Sequence, residues 1–152
     1  MGYVYFIAAE GSDRVKIGFT GGQVAKRLAD LQTGSPFPLK LIGAIRAESQ
    51  ATEKKVHLAL NSARLVGEWF KIDAAKMFLR STEALTPFLQ WLRLHSDEDT
   101  PIGDLARDAL RDGQFPEVGT FEDYRHHLEM RHACQGALSA LESAFFLCVE
   151  PL

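Results

Sequence analysis

Residues able to move a proton, hold a cation or bind a phosphate are concentrated in the first half of this 152-residue chain. Glu53, His57, Asn61 and Arg64 recur every three or four positions, which sets a carboxylate and an imidazole one turn apart on a single helical stripe. Tyr3 and Tyr5 alternate in an aromatic, β-branched run, Lys16 stands in a second such run, and Arg27 falls in a helical stretch. A carboxylate can hold a hard divalent cation, a phenol or an imidazole can carry a proton, and a guanidinium can grip a phosphate with two prongs. Taken singly, each has an ordinary structural explanation. Two tyrosines suit any strand, a lysine or an arginine suits any wet surface, and Glu53 with His57 is a plain i,i+4 helix pair. Their order and spacing make them a candidate set.

The elements that must position them follow from periodicity and punctuation. Residues 2–9 and 15–19 read as strands joined by the turn Glu10-Gly11-Ser12-Asp13, hence an antiparallel hairpin. Gly21-Gly22 ends the second strand; a phosphate cradle there is a weaker reading than a simple turn. A helix over 23–32 carries Val24, Leu28 and Leu31 on one face and closes at Gly34. Residues 39–46 alternate as a third strand, and Ser49 caps a helix over 50–63. Gly67-Glu68-Trp69-Phe70 ends the unit as a short extended piece, with Trp69 and Phe70 as core anchors. The order β-β-α-β-α implies an α+β unit: a small three-stranded antiparallel or mixed sheet flanked by helices.

The net charge of -3 is an average over unlike parts. Residues 1–72 hold 10 Lys+Arg and 6 Asp+Glu, a net of +4, whereas residues 73–152 hold 7 and 14, a net of -7. Bulk charge therefore excludes a protein that coats nucleic acid with its whole surface, but not a local contact on residues 1–72. No apolar run approaches the roughly 18 residues of a membrane span. The N-terminus also lacks a basic segment followed by a long apolar one, so a cytoplasmic protein is expected.

The first unit resembles the GIY-YIG nuclease superfamily. Tyr3-Val4-Tyr5 followed by Phe6-Ile7 corresponds to the first motif and Lys16-Ile17-Gly18 to the second. Arg27 corresponds to the arginine on the following helix and Glu53 to the metal-binding glutamate. One branch of the superfamily carries K-I-G, then E-x-x-x-H, then G-E-W-F, matched here by Lys16-Ile17-Gly18, Glu53 to His57, and Gly67-Glu68-Trp69-Phe70. Two positions depart from the commoner pattern: Lys16 stands where tyrosine is usual and Tyr3 where glycine is usual. The asparagine found near such active sites has Asn61 as its nearest counterpart.

The resemblance implies a metal-dependent endonuclease that hydrolyses phosphodiester bonds in DNA, single- or double-stranded, with RNA as the other substrate to consider. It implies Tyr5 as general base, Lys16 and Arg27 on the phosphate, and Glu53 on Mg²⁺ or Mn²⁺. His57 would assist a metal-bound water or the leaving oxygen, and Tyr3, Asn61 and Glu68 are secondary candidates. The chemistry is self-consistent. Mg²⁺ keeps most of its waters and accepts a single protein carboxylate. A phenol ordinarily ionises near pH 10, so it needs nearby cations to accept a proton. The rival expectation, from a different class, is a catalytically inactive nucleic-acid-binding or protein-interaction module on a nuclease fold, as in mobile-element defence or counter-defence.

After a bridging helix expected within 73–85, residues 86–152 read as four helices. Thr86-Pro87 and Thr100-Pro101 are start signals, Asp112-Gly113 a stop, and Thr120 with Asp123 resembles a capping box. Phe88, Trp91-Leu92, Pro101 to Ala106, Phe115-Pro116 and Leu141 to Phe145 resemble the YozE-type, sterile-alpha-motif-like (SAM-like) helical domain, which implies no catalysis. Its acidic surface is a solvated face or a docking surface for a basic protein partner. His126, His127, His132 and Cys134 match no common zinc spacing. Cys134 and Cys148, expected in one helix, would stand roughly 21 Å apart and stay reduced. Nothing in the sequence fixes an oligomeric state, although cutting both strands with one site per chain would favour a dimer.

Overall fold

The computed structural model describes residues 1–149, which divide into two compact units, Met1–Leu85 and a second beginning at Thr86. The first is α+β. Strands β1 (Gly2–Ala9) and β2 (Arg14–Thr20) form the expected hairpin, and β3 (Leu39–Ala47) pairs on the other side of β1. The sheet then continues beyond the expected three strands. Chain residues 64–71 fold as a tight hairpin of β4 (Arg64–Val66) and β5 (Trp69–Lys71), and β5 adds to β2. The order is β3-β1-β2-β5-β4 and every pairing is antiparallel. Gly67 turns the small hairpin with φ +54, a conformation that glycine adopts without steric cost.

Strand alternation sorts the side chains onto two faces. Val4, Phe6 and Ala8 of β1 share one face with Val15 and Ile17 of β2 and Phe70 of β5, all buried. Helices α2 (Gln50–Ala59) and α3 (Ile72–Arg80) cover it through Val56, Ala75 and Leu79. The other face carries Tyr3, Tyr5 and Ile7, and helix α1 (Val24–Thr33) packs there on β1 and β3. α1 and α2 start within a residue of the expected positions. α2 ends at Ala59, earlier than expected, and residues 61–63 form a 3₁₀ turn. Arg64, read as the last member of the polar helical stripe, therefore stands on β4.

The helix expected as a bridge is part of the first unit's core. Ala75 is fully buried and Leu79 nearly so, and Leu79 lies close enough to Gly43 that a Cβ there would meet it. The chain leaves the unit only after Leu85, whose backbone exchanges two hydrogen bonds with Ala44.

The second unit is helical: α4 (Phe88–Arg93), α5 (Pro101–Arg111), α6 (Phe121–Met130) and α7 (Gln135–Val149). Phe88, Leu92, Leu105, Tyr124 and Leu141 form its core. The Thr100 hydroxyl accepts from the Gly103 N–H, and Thr120 with Asp123 makes a reciprocal capping box, both as the spacing predicts. The Tyr124 hydroxyl donates to the Thr86 carbonyl at 2.6 Å, and burial holds its phenol far above the ordinary value. Cys134 falls just outside α7 and is exposed, so the two thiols do not share a helix.

Two outcomes follow from this packing. A chain ending at residue 85 melts cooperatively by circular dichroism, whereas one ending at residue 72 does not, because it uncovers the Val4–Phe6 face. In the second unit Asp112 accepts from His127 Nε2 at 2.7 Å and Arg131 Nη2 at 3.0 Å. The His127 hydrogen bond first, then the Gln114 N–H, with Arg131 adding, hold the Asp112 carboxyl below its usual 3.8. A depressed folded-state value contributes stability above the unfolded value and loses it as pH falls through the folded one. Thermal melts from about pH 5 to about pH 2 should therefore show a steeper acid loss in wild type than in Asp112→Asn.

Candidate active site

Residues 16–18 of β2 are where the candidate side chains meet the sheet. The register sets Tyr5 opposite Gly18 and Ile7 opposite Lys16, so the Tyr5 and Lys16 side chains lie on one face, two residues apart along β2. Tyr5 is almost wholly buried, at 1% exposure, and its hydroxyl lies over Gly18 so closely that a Cβ there would overlap it. Gly18 is therefore required by close approach of the phenol. On the same face Arg27 comes from α1, and its Nε donates to the Tyr5 hydroxyl at 3.4 Å, a long hydrogen bond. That bond and the charge of the phenol, with Asp30 and Glu68 adding, outweigh partial burial and hold the guanidinium above its ordinary pKa.

Lys16 sits beside this pair. Its Nζ donates to Glu68 Oε2 at 2.5 Å and lies 5.9 Å from the Trp69 ring centroid. Glu68 occupies the turn of the β4–β5 hairpin, 52 residues away in sequence. Trp69 is half-buried under the ammonium, whereas Phe70 is fully buried, so only the second of the two expected anchors is a core residue in full.

Glu53 and His57 arrive from α2, which covers the opposite face. The pairing of β5 with β2 stops at Trp69, so the Ile17 N–H takes the Glu68 carbonyl at 2.9 Å and the Ile17 carbonyl is left to a side chain. His57 supplies it: Nε2 donates to that carbonyl at 2.9 Å, and the ring tilts against Phe70 at 5.0 Å between centroids. His57 Nε2 therefore carries its hydrogen and is committed to the backbone. Glu53 Oε1 lies 3.9 Å from that nitrogen, and Glu53 is buried, at 7% exposure. A carboxylate this poorly hydrated needs a cation or donors around it. Among the described residues no three His, Cys, Asp or Glu side chains gather as a metal cage, and Glu53 is the one carboxylate beside His57.

Tyr5, Lys16, Arg27 and Glu68 thus share one face, and Glu53 and His57 approach β2 at its edge from the α2 side. Tyr3 is half-buried at the far end of β1, opposite Thr20 and Arg46. Asn61 is exposed, in the 3₁₀ turn beyond the end of α2, and no hydrogen bond or ion pair joins it to the other candidates. The structure does not bring Asn61 to the site. Sequence reasoning weighed Glu68 but had no means to pair it with Lys16; the G-E-W-F run was the available signal.

Comparison with known families agrees with this division of the chain. The T5orf172 domain model matches residues 2–85, and the YozE SAM-like fold model matches residues 87–147. The chain belongs to the T5orf172 domain family. No curated protein and no solved structure matches it. A T5orf172 domain is nuclease-associated, related to the GIY-YIG and HNH-like endonuclease class. Among the described residues no helix is long and apolar enough to cross a membrane. In this T5orf172 domain every candidate group except Tyr3 and Asn61 touches, or stands beside a group touching, residues 16–18.

The contact between Tyr5 and Gly18 can be tested without substrate. Gly18→Ala should cost about 1–3 kcal/mol of stability by forcing the phenol aside. In a Tyr5→Leu background, which removes both the hydroxyl and the ring carbon that the new Cβ would overlap, the same substitution should cost about 1 kcal/mol less. Additive penalties in thermal or denaturant melts would show that the phenol does not rest on Gly18.

Proposed function

We propose that the T5orf172 domain is a GIY-YIG-type endonuclease that hydrolyses phosphodiester bonds in DNA with Mg²⁺ or Mn²⁺. The observation that carries this reading is the Arg27–Tyr5 hydrogen bond over Gly18, with Lys16 on the same face. A phenol oxygen that accepts from a guanidinium stands with its lone pairs beside a fixed positive charge, the setting in which a phenol could act as general base. Tyr5 takes the proton of the attacking water. Arg27 swings its fork from the phenol to the phosphate oxygens. Lys16, steadied by Glu68, adds a second positive charge beside the phosphate.

Glu53 is the residue that would hold the divalent ion, which supplies charge neutralisation and Lewis acidity when bound. His57 is a positioning residue here. Its bond to the Ile17 carbonyl fixes α2 against β2 and so fixes Glu53. The 3.4 Å Arg27–Tyr5 contact is looser than a working catalytic bond, as is usual before substrate enters.

The rival reading is a module that binds nucleic acid without cutting it. The near-complete burial of Tyr5 and the neutralisation of Lys16 by Glu68 favour it. Both readings make DNA, or RNA, the partner of this unit, and the acidic helical unit remains a candidate surface for a basic protein.

The deciding assay incubates the full chain with labelled single- and double-stranded DNA and RNA, with Mg²⁺, Mn²⁺ or chelator. The nuclease reading expects metal-dependent cleavage that falls by a factor of about 10²–10⁴ in Tyr5→Phe and also collapses in Glu53→Ala and Arg27→Ala. Salt-sensitive binding by wild type with no cleavage in any metal would overturn it in favour of the binding module.

A further inference from the structure

We propose that Arg14 and Lys71 form a phosphate-binding subsite for the nucleic-acid backbone, on the sheet face that carries Tyr5 and beyond the site of cleavage. The register sets Arg14 and Lys71 directly opposite each other on β2 and β5. Directly opposed cross-strand residues point to one face, so two cations stand side by side there. Like charges in that position are destabilising on their own. Both residues are exposed, and among the described residues no ion pair includes either. With no carboxylate in ion-pair contact, although Asp13 and Asp73 are near in the chain, the two cations are open to an anion from outside.

The neighbours on the same face say which anion. Alternation along β2 puts Arg14, Lys16 and Gly18 in one row, with Lys71, Trp69 and Tyr5 as their respective partners across β5 and β1. The row therefore runs from the two bare cations, past a half-exposed indole, to the phenol and Arg27. It is a line of phosphate-binding charge interrupted by an aromatic surface, the combination that single-stranded nucleic acid uses. Lys16, unlike Arg14 and Lys71, already has Glu68. Four residue steps along β2 lead from Gly18 to Arg14, roughly 13 Å, which is on the order of four phosphates along the axis of one duplex strand. The subsite is thus placed to hold the strand several nucleotides from the phosphate at Tyr5. This placement rests on the nuclease reading, whereas the binding itself does not.

The test measures binding with cleavage switched off. Anisotropy of labelled oligonucleotides, single-stranded and duplex, is titrated with full-length protein in chelator over a range of salt. Arg14→Gln/Lys71→Gln is compared with Lys40→Gln/Arg80→Gln, which removes the same charge from exposed positions on β3 and α3. The proposal expects the first pair to lower the slope of log affinity against log salt by about 1.5 and to weaken binding on the order of tenfold or more at 0.1 M salt. The control pair should change neither beyond a small general charge effect. The melting temperature of Arg14→Gln/Lys71→Gln should not fall, because the substitutions remove a repulsion. Equal losses in the two variants, unchanged binding in the first, or no oligonucleotide binding by wild type would overturn the subsite. Binding of this pattern without cleavage would retain the subsite and defeat only the nuclease reading, while cleavage with unchanged binding would do the reverse.

Discussion

The hydrogen bond from His57 to the Ile17 carbonyl is the constraint on which the rest of the first unit depends. A strand whose neighbour ends early leaves backbone groups to be satisfied, and a buried carbonyl without a donor is costly. β5 ends at Trp69, so β2 has an edge from Ile17 onward. One imidazole closes that edge, and in doing so it fixes the register of α2 against the sheet. Glu53, one turn earlier on the same stripe, is fixed with it. On the other face Gly18, the next residue of the same strand, gives up its side chain to admit the Tyr5 hydroxyl. Two adjacent backbone positions therefore receive a phenol and an imidazole from opposite sides.

The electrostatics follow from the same economy. The first unit keeps its cations partly committed: Arg27 to Tyr5 and Lys16 to Glu68. Such pairs cost little to hold, and under the proposed function they would yield their cations to a phosphate, which offers two or more charged oxygens in place of one phenol or one carboxylate oxygen. Tyr5 is the main reason the Arg27 guanidinium stands above its ordinary value, with Asp30 and Glu68 adding less, while Glu68 pairs directly with Lys16. The acidic charge of the chain is concentrated in the helical unit, where Asp112 is used structurally by His127 and Arg131.

Local signals in the sequence carried most of the elements. The β1–β2 hairpin, α1, the third strand and the Thr120–Asp123 capping box all rest on residues within a few positions of one another, and such signals survive folding. The misreadings share a different cause. Residues 61–64 continue the polar helical stripe of α2, so the periodicity gave no notice that Gly67 would turn Arg64–Val66 back as a strand. The helix from Ile72 has an apolar face like any amphipathic helix, and only tertiary packing shows that Ala75 and Leu79 fill the first unit's core. At the site, Tyr5, Arg27, Lys16 and Glu53 were legible as a spaced set. The Lys16–Glu68 pair, the commitment of His57 Nε2 to the backbone and the reason for Gly18 were not, because each depends on strand register across distant segments. Asn61 shows the converse: helical spacing kept it in the stripe, but α2 ends at Ala59 and Asn61 lies in the 3₁₀ turn that follows.

Under the proposed function, residues 16–18 of β2 and the Glu53 turn of α2, which reach that strand from opposite faces, would serve one metal-dependent phosphate site. Paramagnetic broadening of a ¹⁵N-labelled full-length chain by Mn²⁺ tests this most directly, since it reports which amides lie near the ion whatever the substrate. The expected result is broadening of the amides of residues 16–18 together with those of residues 52–57, lost in Glu53→Ala. Broadening that spares both segments and follows only the acidic helical unit would contradict it.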